Sequence, residues 1–200
     1  AIITSDINRR YFSGMKSSAG VVLCFKDVAY LVIDFRYIEK ARKTVTDCQV
    51  VLQESNSIQQ IYNILKEHNV KKVSVEAHCM TIDVLSSYKS KLLDIEIDYS
   101  NALSKNIFAI RTKKSAEEVE KIKSAQKIAD DAFQHILNYI KVGVTEKDIA
   151  LELDYYMLKH GAEALSFDTI ALAGKNTSMP HGVPSSYAVQ SGDFVLMGYG

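Results

Sequence analysis

The residues best suited to chemistry in this chain lie between Gly174 and Gln190, where Asn176, Ser178, His181, Ser185 and Ser186 fall within a short polar stretch. The only two prolines, Pro180 and Pro184, flank His181 and Gly182. Proline fixes its own φ and restricts the residue before it, so this stretch is stiffened on both sides of one imidazole. A ring held that way can move a proton or hydrogen-bond a substrate near neutral pH. The same spacing also fits a rigid turn carrying an exposed histidine, because no partner for the ring lies nearby in the sequence. Spacing alone leaves both readings open.

Other candidates carry less. His78 and Cys79 are adjacent, but with no second pair close by they make a weak zinc motif. His68, His135 and His160 fall near helix ends or on helix faces, which suits solvated or capping roles. The serines near His181 lack the Gly-x-Ser-x-Gly elbow of a hydrolase nucleophile. Tyrosines and phenylalanines recur at core spacing without the basic interleaving that grips single strands.

The elements that must position these residues can be read from periodicity. Strand-like runs occur at Ile2 to Thr4, Val21 to Phe25, Ala29 to Ile33, Val50 to Leu52, Val73 to Glu76 and Ile95 to Tyr99. Lys26 and Asp27 read as a tight hairpin turn between two of them. Ile58, Ile61, Tyr62 and Leu65 share one helical face; Val84, Leu85, Tyr88 and Leu92 share another, with Thr81 as its N-cap. This alternation predicts an α/β fold with a mixed sheet covered by helices.

From Ile107 to Lys114 the pattern becomes basic and non-periodic, and a domain boundary is placed near residue 108, dividing 1–107 from 108–200. Ser115 and Glu118 then form a capping box. Helical spacing runs from Val119 through Ile122, Ala125, Ala129, Ala132, Phe133, Ile136 and Leu137 to Ile140. Thr145 and Asp148 repeat the capping pattern, and Gly161 suits the end of the second helix. An apolar strand is expected over Leu165 to Ala173 and a last strand over Phe194 to Met197.

Composition narrows the function classes. Lysines and arginines number 24 and aspartates and glutamates 24, so the formal net charge is zero and no basic excess speaks for nucleic acid. The longest apolar runs are strand-length, too short for a membrane span. Three cysteines, an odd number and widely spaced, argue against a disulfide framework and for a reducing, cytoplasmic setting. Ala1 to Thr4 reads as a buried strand beginning at the first residue, so further residues upstream are expected.

Several motifs carry a family likeness. FDTIALAGKNTSMPHGVPSSYAVQSGDFVLMGYG, Phe167 to Gly200, resembles the pita-bread metallopeptidase segment in which a strand leads to a Pro-His-Gly loop and a Gly-Asp-hydrophobic strand. RTKKSAEEVEKIKSAQKIADDAF, Arg111 to Phe133, is similar to the first helix of that catalytic domain. NRRYFSGM, Asn8 to Met15, and LVIDFRYIEKA, Leu31 to Ala41, look like the creatinase-type N-terminal domain of the same family, the Xaa-Pro dipeptidases and aminopeptidases P.

The resemblance implies a creatinase-type N-terminal domain over 1–107 followed by the first half of a pita-bread (α+β) catalytic domain over 108–200. It implies a fragment of a proline-specific metallo-exopeptidase, acting on proline-containing peptides as a homodimer. The parent would hold two divalent metal ions (Mn, Co or Zn) that generate a hydroxide and polarise the scissile carbonyl. His181 matches a histidine that orients substrate or stabilises the tetrahedral intermediate, and it is the catalytic candidate. No metal ligand is expected within the chain. Where the family carries an Asp-aromatic-Gly triplet whose Asp binds metal, this sequence has Gly198-Tyr199-Gly200. Asp193 and Asp168 match no ligand position; a turn and a local hydrogen bond are expected of them. The fragment is expected to be inactive by itself. The alternative implied by Gly198 is a metal-free pita-bread protein, either a creatinase-like amidinohydrolase or a non-catalytic binding module.

Overall fold

Alternating apolar side chains send successive residues to opposite faces of a sheet, and both faces of the first sheet are buried. The computed structural model describes residues 1–200, which fold as two units, Ala1–Lys113 and Lys114–Gly200. The first contains β1 (Ile2–Ile3), α1 (Asp6–Ser13), β2 (Val21–Cys24), β3 (Ala29–Ile33), α2 (Ile38–Thr44) and β4 (Gln49–Leu52). After these come α3 (Ser57–Glu67), β5 (Lys72–Ser74), α4 (Ile82–Lys91), β6 (Glu96–Asp98) and α5 (Ala102–Thr112). Strands run in the order β1-β2-β3-β4, antiparallel except for the parallel β3–β4 pair. The parallel pair β5–β6 joins them through a bridge between Ile2 and Val75. The mixed sheet with helices packed on it is therefore present.

One face of the sheet, carrying Ile2, Leu23 and Val32, packs on Ile61, Ile64 and Leu65 of α3 and Tyr88 of α4. The other, carrying Ile3, Val22, Leu31 and Ile33, packs on Ile38 and Ala41 of α2 and Ile107 of α5. The Lys26-Asp27 turn closes with the Phe25 amide donating to the Val28 carbonyl at 2.9 Å. Thr81 caps α4 by accepting from the Val84 amide at 3.3 Å. The basic stretch that sequence reading left without periodicity is helical: α5 continues to Thr112. Its pattern is faint because Ile107 alone is buried while Phe108 and Ile110 face solvent.

The second unit comprises α6 (Ala116–Tyr139), α7 (Glu146–Lys159), β7 (Ile170–Ala173), a short 3₁₀ helix (Gly174–Ser178) and β8 (Val195–Gly198). Both capping boxes form, Ser115 with Glu118 and Thr145 with Asp148. Ala132 and Ile136 of α6 meet Ile149, Leu153 and Met157 of α7 over Ala171 and Ala173 of β7. Those two alanines are small enough for the helices to lie close to the strand. β7 and β8 pair antiparallel, Ile170 opposite Gly198 and Ala173 opposite Val195.

Strand β7 is shorter than the apolar run suggests. Phe167 and Asp168 are exposed, and the Thr169 hydroxyl donates to the Asp154 carboxylate of α7, so pairing begins only at Ile170. The last strand is shifted by one residue, leaving Phe194 outside it and Gly198 within it. No helix is long and apolar enough to cross a membrane.

Candidate active site

The loop after β7 is built around one carboxylate. Glu146 opens α7, and its side chain is 0% exposed. Oε1 accepts from the Ala173 amide at 2.7 Å and from Asn176 Nδ2 at 2.9 Å. Oε2 accepts from the Ser185 amide at 2.9 Å and from Ser185 Oγ at 2.6 Å. Burial by itself would raise the pKa of this group, but the hydrogen bonds outweigh it and hold the carboxyl below its ordinary value. The backbone repeats the attachment. The Glu146 and Lys147 amides, orphan donors in the first turn of a helix, donate to the Tyr187 and Ser185 carbonyls at 3.0 and 3.1 Å. Gly143 and Val144 exchange backbone bonds with Val189, each 2.9 Å long.

Between the two points gripped by Glu146 lies the Pro-His-Gly turn. The Gly182 amide donates to the Met179 carbonyl at 2.8 Å, closing a four-residue turn with Pro180 second and His181 third. Proline suits the second position of such a turn and glycine the fourth. Gly182 is needed sterically as well: a Cβ there would lie 2.9 Å from Leu172 Cδ1, which is buried beneath the loop on β7. The turn thus rests on the sheet and points His181 into solvent, next to the exposed Met179 and Val183.

The two aspartates differ. Asp193 accepts from the Tyr187 hydroxyl at 3.1 Å and from the Gln190 amide at 2.8 Å, tying down the far end of the loop in the turn role expected of it. The local hydrogen bond expected of Asp168 is made instead by its neighbour Thr169. Gly198 sits in a strand with ordinary van der Waals space, since a Cβ would lie 3.7 Å from Ile170. Nothing steric demands glycine there. Asp168 is exposed, Asp193 is committed to the loop and Gly198 has no side chain.

In the first unit, Glu76, His78 and Cys79 bring possible ligand atoms within 4.8 Å of one another. Glu76 is fully buried, however, and its lone pairs are already used. It accepts from the Thr4 amide, the Ser5 amide at 2.9 Å, Ser5 Oγ at 2.7 Å and Asn8 Nδ2 at 2.6 Å. Glu76 anchors the start of α1. His78 Nδ1 meets Ser104 Oγ at 3.0 Å, and Cys79 Sγ donates to the Glu76 carbonyl at 3.6 Å. His68 and His160 stand at the C-caps of α3 and α7, and His135 pairs with Glu152 across α6 and α7. Sequence reading passed over Glu146 and Glu76, since a lone glutamate resembles any surface acid until its partners, dozens of residues away, are known.

Residues 1–107, more than half of the chain, match the Creatinase/Prolidase N-terminal domain family. The chain belongs to that family. Residues 120–200 match metallopeptidase family M24, so the Glu146-anchored loop and His181 lie in the M24-type unit. The Bacillus subtilis protein "Uncharacterized peptidase YqhT" is 36% identical over 100% of this chain and 56% of the relative. The Xaa-Pro dipeptidase of Pyrococcus furiosus is 29% identical over 99% of this chain and 55% of the relative. The structure of a Xaa-Pro dipeptidase from Bacillus anthracis superposes with a TM-score of 0.90 at 34% identity, covering 99% of this chain and 55% of that one. The creatinase/prolidase-type chain therefore spans about half the length of the relatives it matches, and its fold is that of the corresponding part of the pita-bread Xaa-Pro peptidases.

Proposed function

We propose that this chain is part of a proline-specific metallo-exopeptidase that hydrolyses the peptide bond before proline. The observation that carries this reading is the Pro-His-Gly turn within the M24-type unit, closed by the Gly182 amide and clamped on both sides by Glu146. A rigid turn that presents an imidazole to solvent suits donation to the oxygen of a peptide carbonyl as negative charge develops on it. Donors fixed before the reaction stabilise that charge without reorganising. His181 is the catalytic residue in this reading. The divalent ions implied by the family, manganese, cobalt or zinc, are assigned to the whole protein and not to any residue of this chain. A homodimer in the cytoplasm is the setting we propose for it.

A second reading takes its support from Gly198, where the strand has room for a Cβ and carries none. In that reading the whole protein binds peptides without metal-dependent hydrolysis, or acts as a creatinase-like amidinohydrolase. Whole protein supplied with each divalent metal, assayed on matched Xaa-Pro and Xaa-Ala peptides, decides between them. Cleavage confined to the Xaa-Pro bond is expected. Binding without cleavage under every metal would establish the second reading in its place.

A further inference from the structure

We infer that Glu146 is the positioning residue for the Pro-His-Gly turn: a fully buried carboxylate that joins the N-terminus of α7 to the segments on both sides of the turn and so fixes the direction of His181. The inference rests on the reading of His181 as the catalytic residue. Three observations carry it.

The first is distribution. The two oxygens divide between the two ends of the loop, Oε1 holding Ala173 and Asn176 before the turn and Oε2 holding Ser185 after it. A glutamate that served only as helix-terminal charge would have no reason to reach both. The second is donor type. Two of the four donors are backbone amides, which cannot rotate or exchange roles, so only an acceptor on each side satisfies them. A glutamine of the same shape has one acceptor and one donor. Either way round, its amide nitrogen faces a backbone N–H, at Ala173 or at Ser185, and one end of the loop is released.

The third is the attachment of the turn itself. Besides the Gly182–Met179 bond that closes it, the turn is held by the Met179 amide donating to the Asn176 carbonyl at 3.0 Å and by Leu172 beneath Gly182. It is also held by the segments that Glu146 grips, the later of which the Glu146 and Lys147 amides also hold. Release of one end frees the chain next to Pro180 or Pro184, the two residues whose stiffness directs the imidazole.

The test is ¹⁵N relaxation on the whole protein, comparing wild type, E146Q and a control, Thr169→Val, which removes a partly buried hydrogen bond elsewhere in the same unit. In E146Q, order parameters at Gly182, Val183 and Ser185 should fall from about 0.85 toward about 0.6 or below, while Ile149 to Met157 of α7 stay rigid. Thr169→Val should lower thermal stability and leave the loop ordered. Should E146Q unfold the unit, two milder variants divide the clamp. Asn176→Ala should loosen the approach to Pro180, and Ser185→Ala the segment after Pro184. A loop that stays ordered in all of them overturns the proposal and leaves the peptidase reading standing. A loosened loop in a whole protein that still cleaves at the wild-type rate overturns the positioning role, and with it the assignment of His181 as the catalytic residue, while the peptidase reading stands.

Discussion

The buried Glu76 of the first unit makes a quantitative test of how this fold is held. Its Oε2 accepts the Thr4 and Ser5 amides, and its Oε1 accepts Ser5 Oγ and Asn8 Nδ2. In Glu76→Gln the remaining oxygen can serve the two amides, and the Ser5 hydroxyl can rotate to accept. Asn8 cannot adapt freely, because its Oδ1 already accepts from Arg111 Nη1 at 2.9 Å. Turning the Asn8 amide to satisfy the new Gln would set its nitrogen against the Arg111 guanidinium. One buried donor is therefore left unpaired whichever way Asn8 turns, and the bonds that remain lose their charge assistance. A loss of about 2–3 kcal/mol follows, equivalent to a fall of about 10 °C in the melting temperature of the first unit.

The pH dependence fixes the mechanism. Burial raises the Glu76 pKa, but its hydrogen bonds outweigh that and hold it below the ordinary value. A carboxyl depressed in the folded state stabilises the fold fully above its unfolded pKa of about 4.3, and the contribution is lost as pH falls through the folded pKa. The gap between wild type and Glu76→Gln should be full at pH 7 and close on acidification. Calorimetry of both proteins from pH 7 to pH 3 reads it directly, with hydrogen exchange at Val22 and Leu23 reporting the first unit alone. A gap below about 0.5 kcal/mol at pH 7, the range of an ordinary surface change, or one that widens in acid, would refute the argument.

Two further predictions follow the same logic. Arg9 is 2% exposed and donates five hydrogen bonds, to Ser17 twice, Thr4, Gly20 and Asp6. An ammonium cannot reproduce that fork, so Arg9→Lys should cost about 2–3 kcal/mol by urea unfolding. Gly198→Ala, at a strand position with space for a methyl group, should raise stability by about 0.5–1 kcal/mol, measurable as a higher urea midpoint for the second unit.

Much of this fold was legible because local rules and tertiary packing agree. Capping boxes at Ser115 and Thr145, the Lys26-Asp27 turn and the alternation along β2 and β3 are local signals, and the structure keeps each of them. The misreadings lie where a tertiary partner decides. Leu165 to Thr169 has strand-like composition, but exposure of Phe167 and the Thr169–Asp154 bond delay the strand. Helix α5 hides its period because only one of its large apolar residues is buried. Of the candidate site, Pro180, His181 and Gly182 stand out by residue type. Glu146, which holds the loop that carries them, is 39 positions from Ser185 and gives no local sign of the connection.

His181 is the residue proposed to act on the substrate, and one substitution examines that role. In the whole protein, His181→Ala should lower turnover of a Xaa-Pro peptide by about 100- to 1000-fold, the loss expected for one fixed donor to a developing oxyanion. Because the ring is exposed at the tip of its turn, the melting temperature should stay within the shift produced by about 0.5 kcal/mol, and bound metal should be unchanged. Turnover at the wild-type rate in His181→Ala would remove His181 from the active site and contradict the account.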